Sequence, residues 1–383
     1  MKFIHAADLH LDSPFKGLKS MPEKIWQSIY QSTFQSLSTI VSLAIDKEVD
    51  FVCIAGDIYD AEDRSVKAQA YFKKEMERLD NENIPVFLLH GNHDFIDQGG
   101  LQLNMPENVL TFGTEIETKE IITQHQERVA VTGFSYGKRW VNERKAESYP
   151  PRKKESDYHI GMLHGFQEGN SSTHQHYAPF SLAELKSKQY DYWALGHIHK
   201  RAVLDTSPFI VYAGNTQGRH RNESGAKGCY LVELNKGEQH ATFYPTAPIE
   251  WHNQVVSLKG KKTLQEVYES LQEVKKQQTK SGKNVLLSII LEQTNDLLEG
   301  VFRKIKNGDL LEGIQKIPEE KNYVWPIRLE IREKKTSKLP SLTKLFPEEW
   351  KLATSEVLEE SQFNTIVQTF YETQSIGSHL SNR

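Results

Sequence analysis

Apolar and polar positions along the first 250 residues follow two patterns. Short apolar runs predict buried strands, and longer stretches with apolar residues at helical spacing predict helices. The first strand is predicted at residues 3–6, and a capping box of Ser20 and Glu23, with Pro22 between them, is expected to open the first long helix. The apolar stripe of that helix comprises Ile25, Trp26, Ile29, Leu37, Ile40, Val41 and Ala44.

The strand pattern continues to about residue 250 and includes one more helix, predicted over 65–79. Further strands are predicted at 51–55, 86–89, 129–133, 159–163, 192–195, 209–212, 229–234 and 242–244. Alternating strands and helices, followed by strand-rich sequence, predict two stacked sheets with helices on their outer faces. We therefore expect one large α/β domain over residues 1–250.

The pattern beyond residue 250 predicts a smaller α/β domain over 251–335. Its predicted elements are a helix at 264–274, a strand at 285–291, a helix around 297–305 and a strand around 327–331.

A linker rich in Lys, Ser and Pro is expected at 332–343, and a helical tail at 345–383. The tail could pack on the catalytic domain, or it could bind in a groove of a partner protein. Its apolar stripe comprises Phe363, Ile366, Val367, Phe370 and Tyr371.

Five short polar motifs each follow a predicted strand, where sheet scaffolds commonly place functional residues. They are Asp8-Leu9-His10, Gly56-Asp57, Gly91-Asn92-His93-Asp94, His164-Gly165 and Gly196-His197-Ile198-His199. The glycines allow sharp turns and close backbone approach. Any one motif could be a turn, a cap or a structural histidine. All five in order at strand ends indicate a metal site.

The ligand chemistry of these motifs is specific, because aspartate, asparagine and histidine side chains are combined without a thiolate. Such a set suits Mn²⁺, Fe²⁺ or Zn²⁺ better than an all-oxygen Mg²⁺ or Ca²⁺ site. The ligands are too numerous for one ion, whereas two ions about 3.5–4 Å apart, bridged by a carboxylate, account for them. Such a pair activates water and neutralises phosphoryl charge, so the predicted reaction is phosphoester hydrolysis.

The distribution of charge along the chain bears on whether the protein could bind nucleic acid. The 383 residues include 47 Lys+Arg and 51 Asp+Glu, a net charge of -4. Residues 1–250 carry 27 basic and 33 acidic side chains, and residues 251–383 carry 20 and 18. An acidic catalytic half argues against a simple basic nucleic-acid binder. Bound metal ions would reverse the local electrostatics.

Cysteine content and hydropathy predict the compartment. The two cysteines, Cys53 and Cys229, exclude a disulfide framework and a zinc–thiolate site. No apolar run approaches the roughly 18 residues of a membrane span, and the first residues lack the pattern of a signal peptide. We therefore expect a cytoplasmic protein without membrane attachment.

Taken together, the motifs resemble those of the calcineurin-like metallophosphoesterase superfamily. The sequences HAADLHLDSP, GDIYD and GNHD are similar to its DNA-repair nuclease branch, the SbcD and Mre-type exonucleases. The segments YDYWALGHIHKR and YAGNTQGRHRNESGAKG are closer still to YhaO-like proteins. The resemblance implies a four-layer α/β/β/α sandwich, a small α/β capping domain and a C-terminal helical tail.

The resemblance also implies roles for the motif residues. One metal would be bound by Asp8, His10, Asp57 and His199, and the other by Asp57, Asn92, His164 and His197. Asp57 would bridge the two ions. His93 matches the family's catalytic histidine, which approaches the leaving group and is not a ligand. Asp94 would hold His93 in orientation.

Two features lie outside the core motifs. Some nuclease relatives carry histidine where this chain has Asp60, which leaves the cleavage polarity open. Gln217, Arg219 and His220 follow a predicted strand, and Arg suits phosphate oxygens. These three residues are candidates for substrate-phosphate contact, with a solvated turn as the alternative.

The expected function is two-metal hydrolysis of DNA phosphodiesters, as an exonuclease subunit in repair or recombination, with Mn²⁺ as the first expected ion. The resemblance implies two protein partners, an SMC-like coiled-coil ATPase bound by the C-terminal segment and a second copy bound near 65–79. One alternative is a phosphatase or phosphodiesterase for a small nucleotide or a protein. Another is an adaptor with an inactive site. The length beyond residue 250 favours DNA, and the complete ligand set favours an enzyme.

Overall fold

The computed structural model describes residues 1–60, 64–96, 102–169, 177–235, 237–279, 282–316, 322–332 and 347–357. The strands are β1 (Lys2–Ala6), β2 (Phe51–Ala55), β3 (Val86–Leu89), β4 (Val109–Thr111), β5 (Glu117–Ile122), β6 (Arg128–Gly133), β7 (Tyr158–His164), β8 (Tyr192–Gly196), β9 (Ala202–Thr206), β10 (Phe209–Tyr212), β11 (Gly228–Asn235), β12 (Glu238–Pro245), β13 (Ile249–Ser257), β14 (Asn284–Glu292) and β15 (Val324–Ile331). The helices are α1 (Glu23–Asp46), α2 (Val66–Asn81), α3 (Leu182–Ser187), α4 (Leu264–Thr279), α5 (Glu299–Lys306), α6 (Asp309–Ile314) and α7 (Pro347–Val357), with a 3₁₀ helix at Lys145–Ser148.

Two six-stranded sheets form the larger part of the fold. Their strand orders are β12-β11-β1-β2-β3-β4 and β5-β6-β7-β8-β10-β9. Phe3 and Phe87 of the first sheet pack with Ile160 and Tyr192 of the second in one buried cluster. This cluster lies between the sheets and holds them together by burial of apolar surface.

Helices cover the outer faces of both sheets. On the first sheet, Phe34 and Leu37 of α1 and Phe72 of α2 share a core with Ile4 and Ile54. On the second, the 3₁₀ helix and α3 pack over an aromatic cluster that contains Trp193, Tyr149 and Tyr190. The α/β/β/α sandwich predicted from the sequence is therefore confirmed.

Parallel pairing sets the position of the functional loops. β1 pairs in parallel with β2, and β2 with β3. In the other sheet β7 pairs in parallel with β6 and with β8. The carboxyl ends of neighbouring parallel strands lie at one edge of a sheet, so the loops that follow them are brought together.

A third sheet, β13-β14-β15, is entirely parallel. On one face it packs against α4, α5 and α6. On the other, Trp251, Leu286 and Trp325 pack against Ile25 and Ile29 of α1. One helix therefore contacts both the first sheet and the third.

Several local predictions were wrong or incomplete. Pro22 is the N-cap of α1 and makes no side-chain capping bond, so the box expected from Ser20 and Glu23 does not form. Ser20 lies two residues too early to cap a helix that begins at Glu23. A capping box is instead present at Ser181 and Glu184 of α3. β13 was not predicted, and it crosses the boundary expected at residue 250.

The tail is described only in part, as α7. The predicted stripe Phe363, Ile366, Val367, Phe370 and Tyr371 lies outside the described residues, and so does most of the linker. Across the described part of the chain, no helix has both the length and the apolar character that a membrane crossing requires.

Candidate metal centre

All seven predicted ligands meet where the two large sheets face each other. The first sheet supplies the residues after β1, β2 and β3, and the second supplies the end of β7 and the residues after β8. In chain order they are Asp8, His10, Asp57, Asn92, His164, His197 and His199.

One half of the centre is formed around Asp8. The Nε2 atoms of His10 and His199 are 3.0 Å apart. Ligand atoms of Asp8, His10 and His199 lie within 4.8 Å of one another. The backbone N–H of His197 donates to both carboxylate oxygens of Asp8, at 3.1 Å each. This fixes the carboxylate against the loop after β8.

The other half is formed around Asn92. Its Oδ1 lies 3.1 Å from His164 Nε2 and 3.1 Å from His197 Nδ1. Asp57 lies between the halves, with Oδ2 3.4 Å from His164 Nε2 and 3.8 Å from His10 Nε2. A carboxylate in this position can reach an ion in either half.

The two carboxylates of the centre are withdrawn from water, with Asp8 and Asp57 each 1% exposed. Burial raises the pKa of Asp8. Burial would also raise the pKa of Asp57, but the charges of His164 and His10 hold it well below its usual value. Buried carboxylates need paired charge or a bound cation.

The backbone is strained at the same loops. Asp8, His10, Asp57 and His197 have φ values of 52°, 44°, 51° and 95°. Non-glycine residues rarely adopt this left-handed region, and such strain clusters at functional sites. Close packing adds to the constraint, because a Cβ on Gly91 would lie 2.3 Å from Asp57 Oδ1.

Two ligand histidines are hydrogen-bonded to oxygen atoms through Nδ1. His164 Nδ1 lies 2.9 Å from the carbonyl of Ala55, and His199 Nδ1 lies 2.6 Å from Glu223 Oε1. His10 Nδ1 lies 3.2 Å from Asp60 Oδ1 without forming a hydrogen bond. The hydrogen-bonded partners of His164 and His199 fix the tautomer and ring direction of these two histidines. The donor set and its backing therefore fit two divalent cations of the Mn²⁺, Fe²⁺ or Zn²⁺ type.

Glu223 is a residue that sequence reasoning missed. Besides His199, its carboxylate accepts from the Arg219 backbone N–H at 2.7 Å and from Asn215 Nδ2 at 2.9 Å. Burial opposes ionisation of Glu223, but its hydrogen bond to His199 lowers its pKa to about 2. The only sequence signal was its place in the polar loop after Gly214-Asn215, 24 residues beyond His199.

Replacing Glu223 by glutamine should weaken metal binding by about 10- to 100-fold, because an amide supports the His199 ring less strongly than a carboxylate. Titration of the metal-free protein with Mn²⁺, followed by calorimetry, measures the change directly. Glu75→Gln is the matched control, since Glu75 is also buried but pairs with Arg78, away from the centre. Equal affinities of Glu223→Gln and the wild type would contradict this role.

His93 lies beside the predicted ligands. Its backbone N–H donates to Asp57 Oδ1 at 3.0 Å, and its ring lies edge-on to that of His10 with centroids 5.0 Å apart. Its Nδ1 lies 3.0 Å from the carbonyl oxygen of Asp60. Since a carbonyl only accepts, Nδ1 is the donor in this contact.

The expected contact from Asp94 to His93 is wrong. Asp94 Oδ1 accepts from Gly91 N–H at 2.7 Å, and Oδ2 accepts from Ile58 N–H at 2.8 Å. Asp94 is fully buried and joins the loops after β2 and β3. The carbonyl of Asp60 holds the His93 ring instead, because the Asp94 carboxylate is directed into the loop backbone.

The three candidate phosphate-contact residues differ in their burial and in their contacts. Gln217 is buried and donates to the carbonyls of Gly218 and Ile249, so its role is structural. Arg219 lies beside the centre and forms an ion pair with Asp60. His220 is half exposed, with Nε2 3.3 Å from Glu223.

The centre opens into a cavity of about 720 Å³. Asp57, Asn92 and His93 line its floor, and Arg219 and Tyr177 are in its wall. The Tyr177 ring lies 4.8 Å from that of His197 and stacks on Trp140 at 5.2 Å. The cavity therefore joins the candidate metal ligands, a cation and a flat aromatic surface.

The sequence is similar to a known family and to several named proteins. The family model for calcineurin-like phosphoesterases matches residues 1–201. The chain is 37% identical to the metallophosphoesterase YhaO of Bacillus subtilis, over 90% of this chain and 85% of YhaO. It is 26% identical to the DNA double-strand break repair protein Mre11 of Methanocaldococcus jannaschii, over 74% of this chain and 76% of that protein. A solved dimetal phosphatase from Danio rerio is 14% identical, with a TM-score of 0.39 over 61% of this chain and 92% of that one. The family match and the identity to YhaO show that the chain belongs to the calcineurin-like phosphoesterase family, metal-dependent hydrolases that bind two divalent ions.

Proposed function

We propose that the protein is a metal-dependent phosphodiesterase that cleaves DNA as an exonuclease in repair or recombination. The observation that carries this proposal is the pairing of Asp57, between two sets of donor atoms, with His93, a histidine beside that carboxylate. The identity of 26% to an Mre11 protein supports DNA as the substrate class.

Two ions would be held in the two halves of the centre, with Asp57 common to both. When bound, they would supply charge for a phosphoryl group and an activated water. The protein's task is then to fix the phosphodiester in line with that water. The buried Asp8 and Asn92, each held by neighbouring loops, keep the donor atoms in place without reorganisation during the reaction.

His93 would act on the leaving oxygen. With Nδ1–H fixed on the Asp60 carbonyl, Nε2 is the ring atom that gives a proton to the departing oxygen.

Arg219 and Tyr177 would place the rest of the substrate. Arg219 is suited to a non-bridging phosphate oxygen, and Asp60 keeps its guanidinium beside the centre. Tyr177 offers a ring face at the cavity wall, on which a nucleobase can stack. Both features favour a nucleotide substrate over a phosphoprotein.

Chelation provides the first test. Excess chelator should reduce hydrolysis of bis(p-nitrophenyl) phosphate to the uncatalysed rate, because the cavity floor would then lack its main positive charge. Mn²⁺ should restore activity best among Mn²⁺, Mg²⁺ and Zn²⁺, since the ligands mix imidazole with carboxylate. Full activity in excess chelator would exclude a two-metal mechanism.

End-labelled DNA, single- and double-stranded, tests the substrate class in the same buffer. The proposal requires stepwise shortening from an end. Cleavage of the chromogenic ester and of single nucleotides, with DNA left intact, would support the small-substrate alternative.

The proposed partners depend on other parts of the chain. An SMC-like ATPase would be bound by the tail, whose apolar stripe lies beyond the described residues. A homodimer would use α2, where Val66 is 71% exposed. Both remain predictions.

A further inference from the structure

A groove lined by basic and apolar residues adjoins the metal cavity. Its volume is about 480 Å³. It lies between the loop that precedes α1, the loop at 219–221 and the third sheet. Arg219 and His220 line both this groove and the metal cavity, so the two are neighbours across the 219–221 loop.

Positive charge is concentrated in this groove, although the chain as a whole is acidic. Lys16, Arg219, Arg221 and Arg328 all line it, and none of its described lining residues is Asp or Glu. Within the described ranges, Lys16 and Arg221 have no carboxylate partner, whereas Arg328 lies 2.9 Å from Glu330. Two cations are thus available to bind an anion.

The floor of the groove is apolar. Trp251 and Trp325 line it and are buried with Ile25 of α1. Trp251 Nε1 also donates to the carbonyl of Gly218 at 2.8 Å, which fixes the base of the 219–221 loop. Leu18 and Ile327, both half-buried, also line the groove, so its cations lie beside an apolar surface. This arrangement matches a chain of phosphates with exposed bases.

We propose that this groove binds the single-stranded part of the substrate that extends beyond the scissile phosphodiester. The inference rests on the proposed function, which places that phosphodiester at the metal centre. A duplex keeps its bases stacked inside, so an apolar floor would contribute nothing to its binding. A single strand can place phosphates on Lys16 and Arg221 and bases on the floor.

The test is a triple variant, Lys16→Gln, Arg221→Gln and Arg328→Gln, with Arg219 left intact. Binding of a dye-labelled oligothymidylate of 12 nucleotides is measured by fluorescence anisotropy in chelator, so no hydrolysis occurs. Affinity should fall about 10- to 100-fold, and the slope of log affinity against log salt should decrease by about 1.4, as for the two phosphate contacts of Lys16 and Arg221. The control replaces Lys74, Arg128 and Lys154, three exposed cations that line neither cavity.

A second measurement separates this inference from the proposed function. Hydrolysis of bis(p-nitrophenyl) phosphate should be the same in the triple variant and the wild type, because this ester needs only the metal cavity. Wild-type affinity and salt slope in the triple variant would overturn the groove assignment alone. A larger loss for duplex than for single strands, or equal competition by polyglutamate, would also overturn it. Absence of hydrolysis in the wild type would overturn the proposed function, while the anisotropy result would still decide the groove.

Discussion

Replacing Asp57 by alanine is expected to lower turnover by about 10⁴-fold or more, the largest loss of any single substitution in this protein. That factor corresponds to roughly 5.5 kcal/mol of transition-state stabilisation. Asp57 is the carboxylate that lies within reach of both halves of the centre, 3.4 Å from His164 and 3.8 Å from His10. Its loss should therefore weaken the binding of both ions, and elemental analysis should find fewer than two metal ions per chain.

Two further variants make the Asp57 result interpretable. Asp57→Asn keeps the volume of the side chain and so keeps its packing, yet it removes the charge and should be almost as inactive. Asp12→Asn is the matched control. Asp12 lies in the neighbouring loop after β1, but its carboxylate accepts from Tyr30. The activity of Asp12→Asn should therefore stay within about threefold of the wild type. Normal metal content and turnover in Asp57→Asn would show that Asp57 does not bridge the ions.

Replacing His93 by alanine is expected to lower turnover by about 10²–10⁴, the usual contribution of a positioned acid or base. Unlike the Asp57 variants, this protein should keep both ions, because His93 is not among the seven predicted ligands. Metal content by elemental analysis and single-turnover rates are measured on the same preparation.

Comparing two substrates with different leaving groups tests the role of His93 more directly. A p-nitrophenolate leaves without help, whereas the alkoxide of a nucleotide needs a proton. The loss in His93→Ala should therefore be larger for DNA than for the chromogenic ester. Equal losses on both substrates, or loss of an ion, would contradict the role of proton donor.

The buried strands were the most predictable part of the fold. β2, β3 and β10 were predicted with their observed bounds, because strands covered on both faces are continuous apolar runs. β5 and β9 were missed, since they are edge strands with mixed and half-exposed residues. β13 was missed because apolar residues occupy only part of its length.

The site residues that directly follow a strand could be predicted from the sequence. All seven ligand candidates and His93 follow strands, and the structure brings them together. The contacts of Asp60 and Glu223 could not be predicted in this way, because each joins loops that are distant in the sequence. Asp60 was noted only as a departure from relatives, yet it contacts His10 and Arg219 and holds the His93 ring through its carbonyl. Sequence spacing cannot show which carboxylate meets which imidazole across 24 or more residues.

The pairing of His10 with His199 also has a consequence for synthesis of the chain. These two rings are 189 positions apart in sequence, and the carboxylate behind His199 is 24 positions further on. A nascent chain on the ribosome therefore cannot complete the centre until residue 223 has emerged and both sheets have closed. Contacts so distant in sequence form late in folding. The centre thus matures only after residues from both large sheets have been synthesised, and chains terminated before residue 223 lack it.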